Sequence, residues 1–275
     1  MKHAIMVIGF GNDASVLQKT ISILDDKDID FFIHWDIRYK EPILNSKKSK
    51  IIFIKNRVKA KWGSYMLIKA TLNLMKDVTK HKKKYDYVHL ISCNDLPLMT
   101  VSYFKNYFKR EVYIGFQHPM TKKLIERINF YYPNNVDYRK HAMFRRLLIL
   151  LNRLFRVNRL NASDISELKK GSEWFSVKYK YILEILNSNK LNEFTYCLCG
   201  DEMFVQTILG RFDNSKLDEN QQSARYIDWN RGRPYVFNNK DVKELKNKKN
   251  TMYAFVRKVK NAEMADLIFD DGENG

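Results

Sequence analysis

Adjacent acids at Asp201-Glu202 stand directly before apolar residues at helical spacing, Phe204, Val205, Ile208 and Leu209. Asp201 reads as the N-cap of that helix, with Glu202 in its first turn. The positive end of a helix favours an ionised carboxylate, so Glu202 can serve as a general base at neutral pH. The plainer reading is a charge-favourable helix start, because acids are common in first turns. Two more acids follow apolar runs: Asp36 after Phe31-Phe32-Ile33-His34-Trp35, and Asp95 after Tyr87-Val88-His89-Leu90-Ile91, within Asn94-Asp95-Leu96-Pro97. The literal Asp-x-Asp pairs, Asp26-Lys27-Asp28 and Asp28-Ile29-Asp30, precede the second expected strand and read as a polar turn. A single carboxylate at Cys93-Asn94-Asp95 is thin for magnesium or manganese. Cys197-x-Cys199 lacks other ligands at finger-like spacing and reads as small buried thiols. His34 and His89 lie within strands and read as core histidines.

Those side chains need elements to place them. Residues 4–10 read as a buried strand, and Asn12 or Asp13 can cap a helix bearing Val16, Leu17, Thr20, Ile21 and Leu24. Residues 31–35, 51–54, 87–91 and 112–116 read as further strands, and Tyr235-Val236-Phe237 as a short one. A helix follows Gly63-Ser64, with Leu67, Ala70, Leu74 and Val78 at helical spacing. Strands separated by helix-length spacers predict an α/β fold with a mostly parallel sheet and helices on both faces. In such sheets ligands bind beyond the carboxyl ends of the strands, which makes Asp36 and Asn94-Asp95 site candidates. No linker divides the chain, so one domain is expected over 1–275, with a helical insertion at about 120–170.

The 275 residues carry 49 Lys+Arg against 31 Asp+Glu, a net charge of +18, with 45% hydrophobic and 13% aromatic residues. That composition excludes a largely disordered chain. No apolar run approaches the roughly 20 residues of a spanning helix, and the N-terminal stretch does not read as a signal peptide. Three cysteines cannot build a disulfide framework, so a cytoplasmic location is expected. The positive surface attracts anions: nucleic acid, an anionic membrane or phosphorylated small molecules. No zinc-finger spacing, RNA-binding aromatic signature or Walker loop is present, so nucleic acid is not expected as a partner. From Arg139 to Arg159, arginines interleave with Met143, Phe144, Leu147, Leu150, Leu151, Leu154 and Phe155. This segment suits a basic amphipathic helix on an anionic membrane face, or a helix packed on its own domain with arginines outward.

Taken in order, seven segments resemble the core-2/I-branching and xylosyltransferase type of glycosyltransferase. Phe32-Ile33-His34-Trp35-Asp36 is similar to that family's I-H-x-D strand end. Val58-Lys59-Ala60-Lys61-Trp62-Gly63-Ser64 resembles its V-x-x-x-W helix start. Tyr85-Asp86-Tyr87 through Ser92-Cys93-Asn94-Asp95-Leu96-Pro97-Leu98 resembles its strand-to-loop block. Gly171-Ser172-Glu173-Trp174-Phe175, Asp201-Glu202 through Thr207-Ile208, Arg225-Tyr226-Ile227-Asp228-Trp229 and Phe255-Val256-Arg257-Lys258-Val259 complete the series. Asn94 replaces the usual Gly before the Asp, and Gly200 the usual Pro before Asp201; neither removes an ionisable group.

The resemblance implies a GT-A-like, Rossmann-type nucleotide-binding mixed sheet flanked by helices. It implies an inverting transfer of a sugar, N-acetylglucosamine or xylose, from a UDP-sugar to a hydroxyl of a glycan or lipid-linked glycan. Glu202 matches the general base. No cofactor or metal is implied; cations near the C-terminus meet the leaving UDP, with Lys258 and Arg233 matching and Arg231 and Arg257 as alternatives. Asp36 matches the residue that meets the uridine, while Asp95 orients the donor or braces its loop. Glu173 and Trp174 match the acceptor-side segment. The implied setting is bacterial surface polysaccharide synthesis, with possible peripheral membrane contact. The alternatives are a non-catalytic module that binds polyanions and a metal-dependent transferase.

Overall fold

A buried run of branched and aromatic side chains forms the first strand, His3–Gly9 (β1), and another forms Ile29–Trp35 (β2); every residue of both is buried. Strands covered on both faces read as continuous apolar runs, as these do. A computed structural model describes residues 1–270, so the last five positions of the domain expected over 1–275 lie outside it. Between the two strands lies Ser15–Ile23 (α1), whose cap position is Ala14 rather than Asn12 or Asp13. Asp13 still accepts the Ser15 backbone N–H at 2.8 Å. Ile51–Phe53 (β3) and Tyr65–Lys80 (α2) follow, and Ser64 caps α2 by accepting the Met66 N–H at 3.2 Å. Tyr87–Ser92 (β4) comes next.

Beyond β4 the chain turns at Cys93-Asn94 and starts a second sheet with Asp95–Pro97 (β5). Val101–Tyr107 (α3) and Val112–Ile114 (β6) follow. Helices Lys122–Asn129 (α4), Ala142–Leu154 (α5) and Ala162–Glu167 (α6) lie in the region 120–170. Phe175–Lys178 (β7), Tyr179–Leu186 (α7), Phe204–Ile208 (α8), Glu219–Ser223 (α9) and Arg225–Ile227 (β8) come next. Val242–Lys246 (α10), Phe255–Arg257 (β9) and Glu263–Phe269 (α11) close the described chain.

The main sheet has the order β3-β2-β1-β4-β7-β6. β1 pairs in parallel with β2 and β4, and β2 with β3. β7 runs antiparallel to both β4 and β6. The fold is therefore α/β with a mixed sheet, and the strand expected at 112–116 is separated from β4 by β7. The smaller sheet has the order β5-β9-β8. Tyr235-Val236-Phe237 makes only a single bridge, Phe237 to Val259.

Arg225 fastens the two sheets together. Its buried guanidinium donates to Phe175 O at 2.8 Å and Ser176 Oγ at 3.0 Å on β7, and to Leu90 O at 3.3 Å on β4. It also lies 4.9 Å from the Phe255 ring centroid on β9. Burial pulls its pKa down to about 10. At the carboxyl end of β1, Gly9 faces the indole of Trp35, and a Cβ built there would fall 2.1 Å from Trp35 Cε3. The Gly9→Ala substitution is therefore expected to lower unfolding free energy by about 1–3 kcal/mol in urea denaturation; unchanged stability would show that the strand end can yield.

Candidate functional site

β1, β2 and β4 end together, because Gly9 pairs with Trp35 and Ile8 with Ser92. The two strand-end acids are thereby brought to one edge of the sheet. Neither offers a free carboxylate. Asp36 is fully buried and accepts the Arg38 Nε at 2.9 Å, Arg38 Nη2 at 2.7 Å, the Arg38 backbone N–H at 2.9 Å and the Ala60 N–H at 2.8 Å. Those bonds, the side-chain pair with Arg38 foremost, hold its pKa below the ordinary carboxylate range against the opposing effect of burial. Asp36, where the resemblance implies the uridine contact, braces its loop and holds Arg38. Arg38 lines a cleft of about 400 Å³ with Lys61, Asn135, Asp137, Lys140 and Phe144.

Asp95, at the start of β5, is likewise buried. It accepts the Ser92 N–H at 2.9 Å, Ser92 Oγ at 2.8 Å and Arg257 Nη1 at 2.6 Å. These bonds brace its loop. Arg257, the last residue of β9, is thus fixed, with its guanidinium 4.1 Å from the Trp174 ring centroid. Trp174 is 6% exposed and belongs to the main core cluster. Arg257 covers a face of its ring, and the side chain packs as a core tryptophan. Arg257, an alternative phosphate contact from sequence, is engaged by Asp95 and Trp174.

Behind this pair lie two carboxyls with an orphaned oxygen each, Glu173 Oε1 and Asp201 Oδ1, both buried without a hydrogen-bond partner. Burial first, and Asp201 second, push Glu173 well above the ordinary range. Burial first, and Glu202 second, push Asp201 up to about 7. Asp201 is not the helix cap that the sequence suggests. It sits in a 3-10 turn, Gly200–Glu202, and α8 starts only at Phe204 with Met203 at its cap position.

Glu202 closes that turn with its side chain one-third exposed. The charge that steadies it comes from side chains instead of a helix end. Arg127, on α4, donates to Glu202 Oε2 at 2.9 Å, and Lys170 Nζ lies 3.7 Å from the same oxygen. Among the described residues no donor reaches Oε1. Lys170 also donates to the Gln117 side chain, which in turn donates to Glu219. Burial raises the Glu219 carboxyl. The backbone beside Lys170 is pinned: Gly171 donates to Glu202 O at 2.9 Å, and a Cβ on Gly171 would fall 1.8 Å from Gly115 O. Sequence reasoning missed Arg127, Lys170 and Glu219. Lys170 directly precedes the Gly171-Ser172-Glu173 segment, which is its one signal.

Of the expected phosphate-binding cations, Lys258 immediately follows β9 and is half-buried, with Nζ 5.9 Å from the ring centroid of Phe10 at the end of β1. Burial, then Arg257 and Lys260, lower its pKa. Arg233 is exposed and, among the described residues, without a side-chain partner. Arg231 is otherwise engaged: it pairs with Asp228, with Asp241 at 3.0 Å and with Glu244 at 2.8 Å. Three carboxylates surround it, so Arg231, an alternative donor contact from sequence, is held in a knot of ion pairs.

The remaining candidates fall into place as core or turn. His34 Nε2 accepts the Val58 N–H at 2.9 Å, and burial lowers its pKa to about 4. His89 is bracketed by Ser176 Oγ at 2.8 Å and His3 at 2.9 Å. Cys197 and Cys199 are buried, and burial raises the Cys197 thiol to about 12. Asp26 and Asp28 share Lys105 at 2.9 and 2.8 Å, at the amino end of β2 and away from the site. Among the described residues no three His, Cys, Asp or Glu side chains converge as a metal-ligand set.

Compared with known protein families, residues 4–253 match the model described as Core-2/I-Branching enzyme. No curated protein matches the chain.

The raised Asp201 carboxyl ties stability to pH. From about 3.8, its ordinary value, to about 7, the folded state holds a proton that the unfolded state releases. Stability therefore falls as pH rises through that window. Asp201→Asn is expected to flatten the decline between about pH 5 and pH 8, by an amount on the order of 1 kcal/mol or more, in urea unfolding at several pH values. An unchanged slope would show that Asp201 keeps an ordinary pKa.

Proposed function

The chain belongs to the Core-2/I-branching enzyme family and is a glycosyltransferase, and from that premise we propose that it moves a sugar from a UDP-sugar to a hydroxyl of a glycan acceptor, with inversion and without a metal ion. N-acetylglucosamine or xylose is the donor sugar of choice, and the acceptor is a glycan or lipid-linked glycan of a surface polysaccharide. The observation that carries this reading is the asymmetry at Glu202. Both cations address Oε2, and Oε1 is left open on a side chain one-third exposed.

In the proposed step the acceptor oxygen attacks the anomeric carbon from the face opposite the nucleotide. Its proton passes to Glu202 Oε1, and the bond between the anomeric carbon and the phosphate oxygen breaks. The electron pair leaves with UDP, so negative charge grows on its terminal phosphate. Lys258, whose half-buried ammonium lacks a carboxylate partner among the described residues, gains an anion by meeting that charge. Arg233 is free to add a second cation, and its fork suits two phosphate oxygens. Arg127 and Lys170 keep Glu202 in place without closing its second oxygen. Asp95 and Arg257 are positioning residues: their pair sets the peptide that carries Lys258. Burial shifts the Glu173 carboxyl towards its protonated form, the form that donates a hydrogen bond, on the acceptor side.

Glu202→Gln keeps the shape and removes the proton acceptor. It is expected to lower kcat about a hundredfold or more while leaving UDP affinity within about twofold, by free-UDP release and calorimetry. Full activity in that variant would overturn the base assignment. Lys258→Ala is expected to weaken UDP about tenfold or more; unchanged affinity would remove Lys258 from the phosphate site.

A further inference from the structure

The second helix of the region 120–170, α5, leaves six of its large apolar side chains exposed, Met143, Phe144, Leu147, Leu150, Leu151 and Leu154. It is fastened from one side only. Leu148 and Ile149 pack on the cluster of Phe130, Tyr132, Tyr138 and Leu198. Asn152 is buried, accepts the Tyr131 N–H at 2.8 Å and donates to Tyr131 O at 3.1 Å. Arg153 donates to Glu126 on α4 at 2.8 Å. On the opposite face stand Met143, Leu147, Leu150 and Leu154, at 83, 49, 63 and 70% exposure, followed by Phe155 at 73%. Spacings of four, three and four residues align the first four on one stripe. A contiguous exposed stripe of this kind marks an interaction site, whereas isolated surface leucines need no explanation.

The charge around the stripe says what covers it. From Arg139 to Arg159 there are seven basic residues and no acidic one. Arg146 and Arg156 are exposed beside the stripe, and Arg139 and Lys140 precede it. On the other edge Phe144 and Lys140 line the cleft that also holds Arg38 and Lys61. We propose that this face of α5 docks on an anionic lipid bilayer, with Met143, Leu147, Leu150 and Leu154 entering the headgroup–acyl boundary and the flanking cations meeting lipid phosphates. An apolar stripe rimmed by Arg and Lys is the pattern of helices that lie in a membrane interface. No helix among the described residues is long and apolar enough to cross a membrane, so the contact is peripheral.

A second copy of the chain fits less well. The stripe has the spacing of a coiled-coil seam, but the helix runs 13 residues, under two heptads. Such seams also rely on flanking pairs of opposite charge. Here a partner helix would set arginine against arginine on chains that each carry +18. Docking would bring the cleft of Arg38, Lys61 and Phe144 to the lipid surface. The proposal stands on the helix alone and does not depend on the transferase chemistry.

The test is co-sedimentation of the full chain with phosphatidylcholine vesicles and with vesicles of phosphatidylcholine and phosphatidylglycerol. Binding to the anionic vesicles alone, weakened by salt, is expected. A Leu150→Glu, Leu154→Glu double variant is expected to lose about tenfold or more of that binding while keeping the wild-type melting temperature. Failure to bind anionic vesicles, equal binding to both compositions, or undiminished binding by the double variant would each overturn the proposal. So would a dimer in sedimentation velocity that the double variant dissolves, which would assign the stripe to a second copy.

Discussion

The buried pair between Asp95 and Arg257 is the contact from which the site's geometry hangs. It joins the first residue of β5 to the last of β9 within the smaller sheet, and both side chains bond Ser92 Oγ at the end of β4 in the larger one. Breaking such a pair from one side leaves an uncompensated buried charge and costs about 3–5 kcal/mol. The pair also has local consequences. It stretches Arg257 across Trp174, which seals the core beneath the site. It fixes the register at which Lys258 emerges beside Phe10 and the ends of the parallel strands. Arg225 completes the seam from the other side of β9.

Charge is distributed across the site in a way that fits an anionic substrate. Glu173 and Asp201, each with one buried oxygen left without a partner, are both pushed towards their neutral forms. Glu202, their neighbour, instead has Arg127 and Lys170 at hand. The acidic cluster therefore carries less negative charge than its composition suggests, while Lys258 and Arg233 have no carboxylate partner among the described residues. A chain with 49 basic residues surrounds this arrangement with a general attraction for phosphates.

Much of the large sheet was legible because β1, β2 and β4 are long apolar runs and the short β3 lies in the apolar stretch Ile51-Ile52-Phe53-Ile54; these four fall where the pattern puts them. The small sheet was not, since β5, β8 and β9 are short and each includes a charged residue, Asp95, Arg225 or Arg257, which breaks any apolar run. β7 escaped for the same reason. Glu202 could be picked out because two acids before a helical pattern are conspicuous. Its partners could not: Arg127 and Lys170 look like any other residues of a strongly basic chain, and only folding brings α4 and the segment before β7 to the Glu202 turn. The partners of Asp36 and Trp174 were no more legible: Arg38, two residues on, bonds Asp36, and Arg257 lies over Trp174.

Membership of the Core-2/I-branching family makes the chain a glycosyltransferase; the side chains at the strand ends suggest how a nucleotide would leave it. The most direct measurement is release of free UDP from a panel of UDP-, GDP- and dTDP-sugars offered with glycan acceptors, in excess EDTA. Turnover confined to a UDP-sugar and undiminished by the chelator is the outcome expected of a site that neutralises its leaving group with Lys258 and Arg233. Turnover that stops on chelation, or that runs on another nucleotide instead, would contradict it.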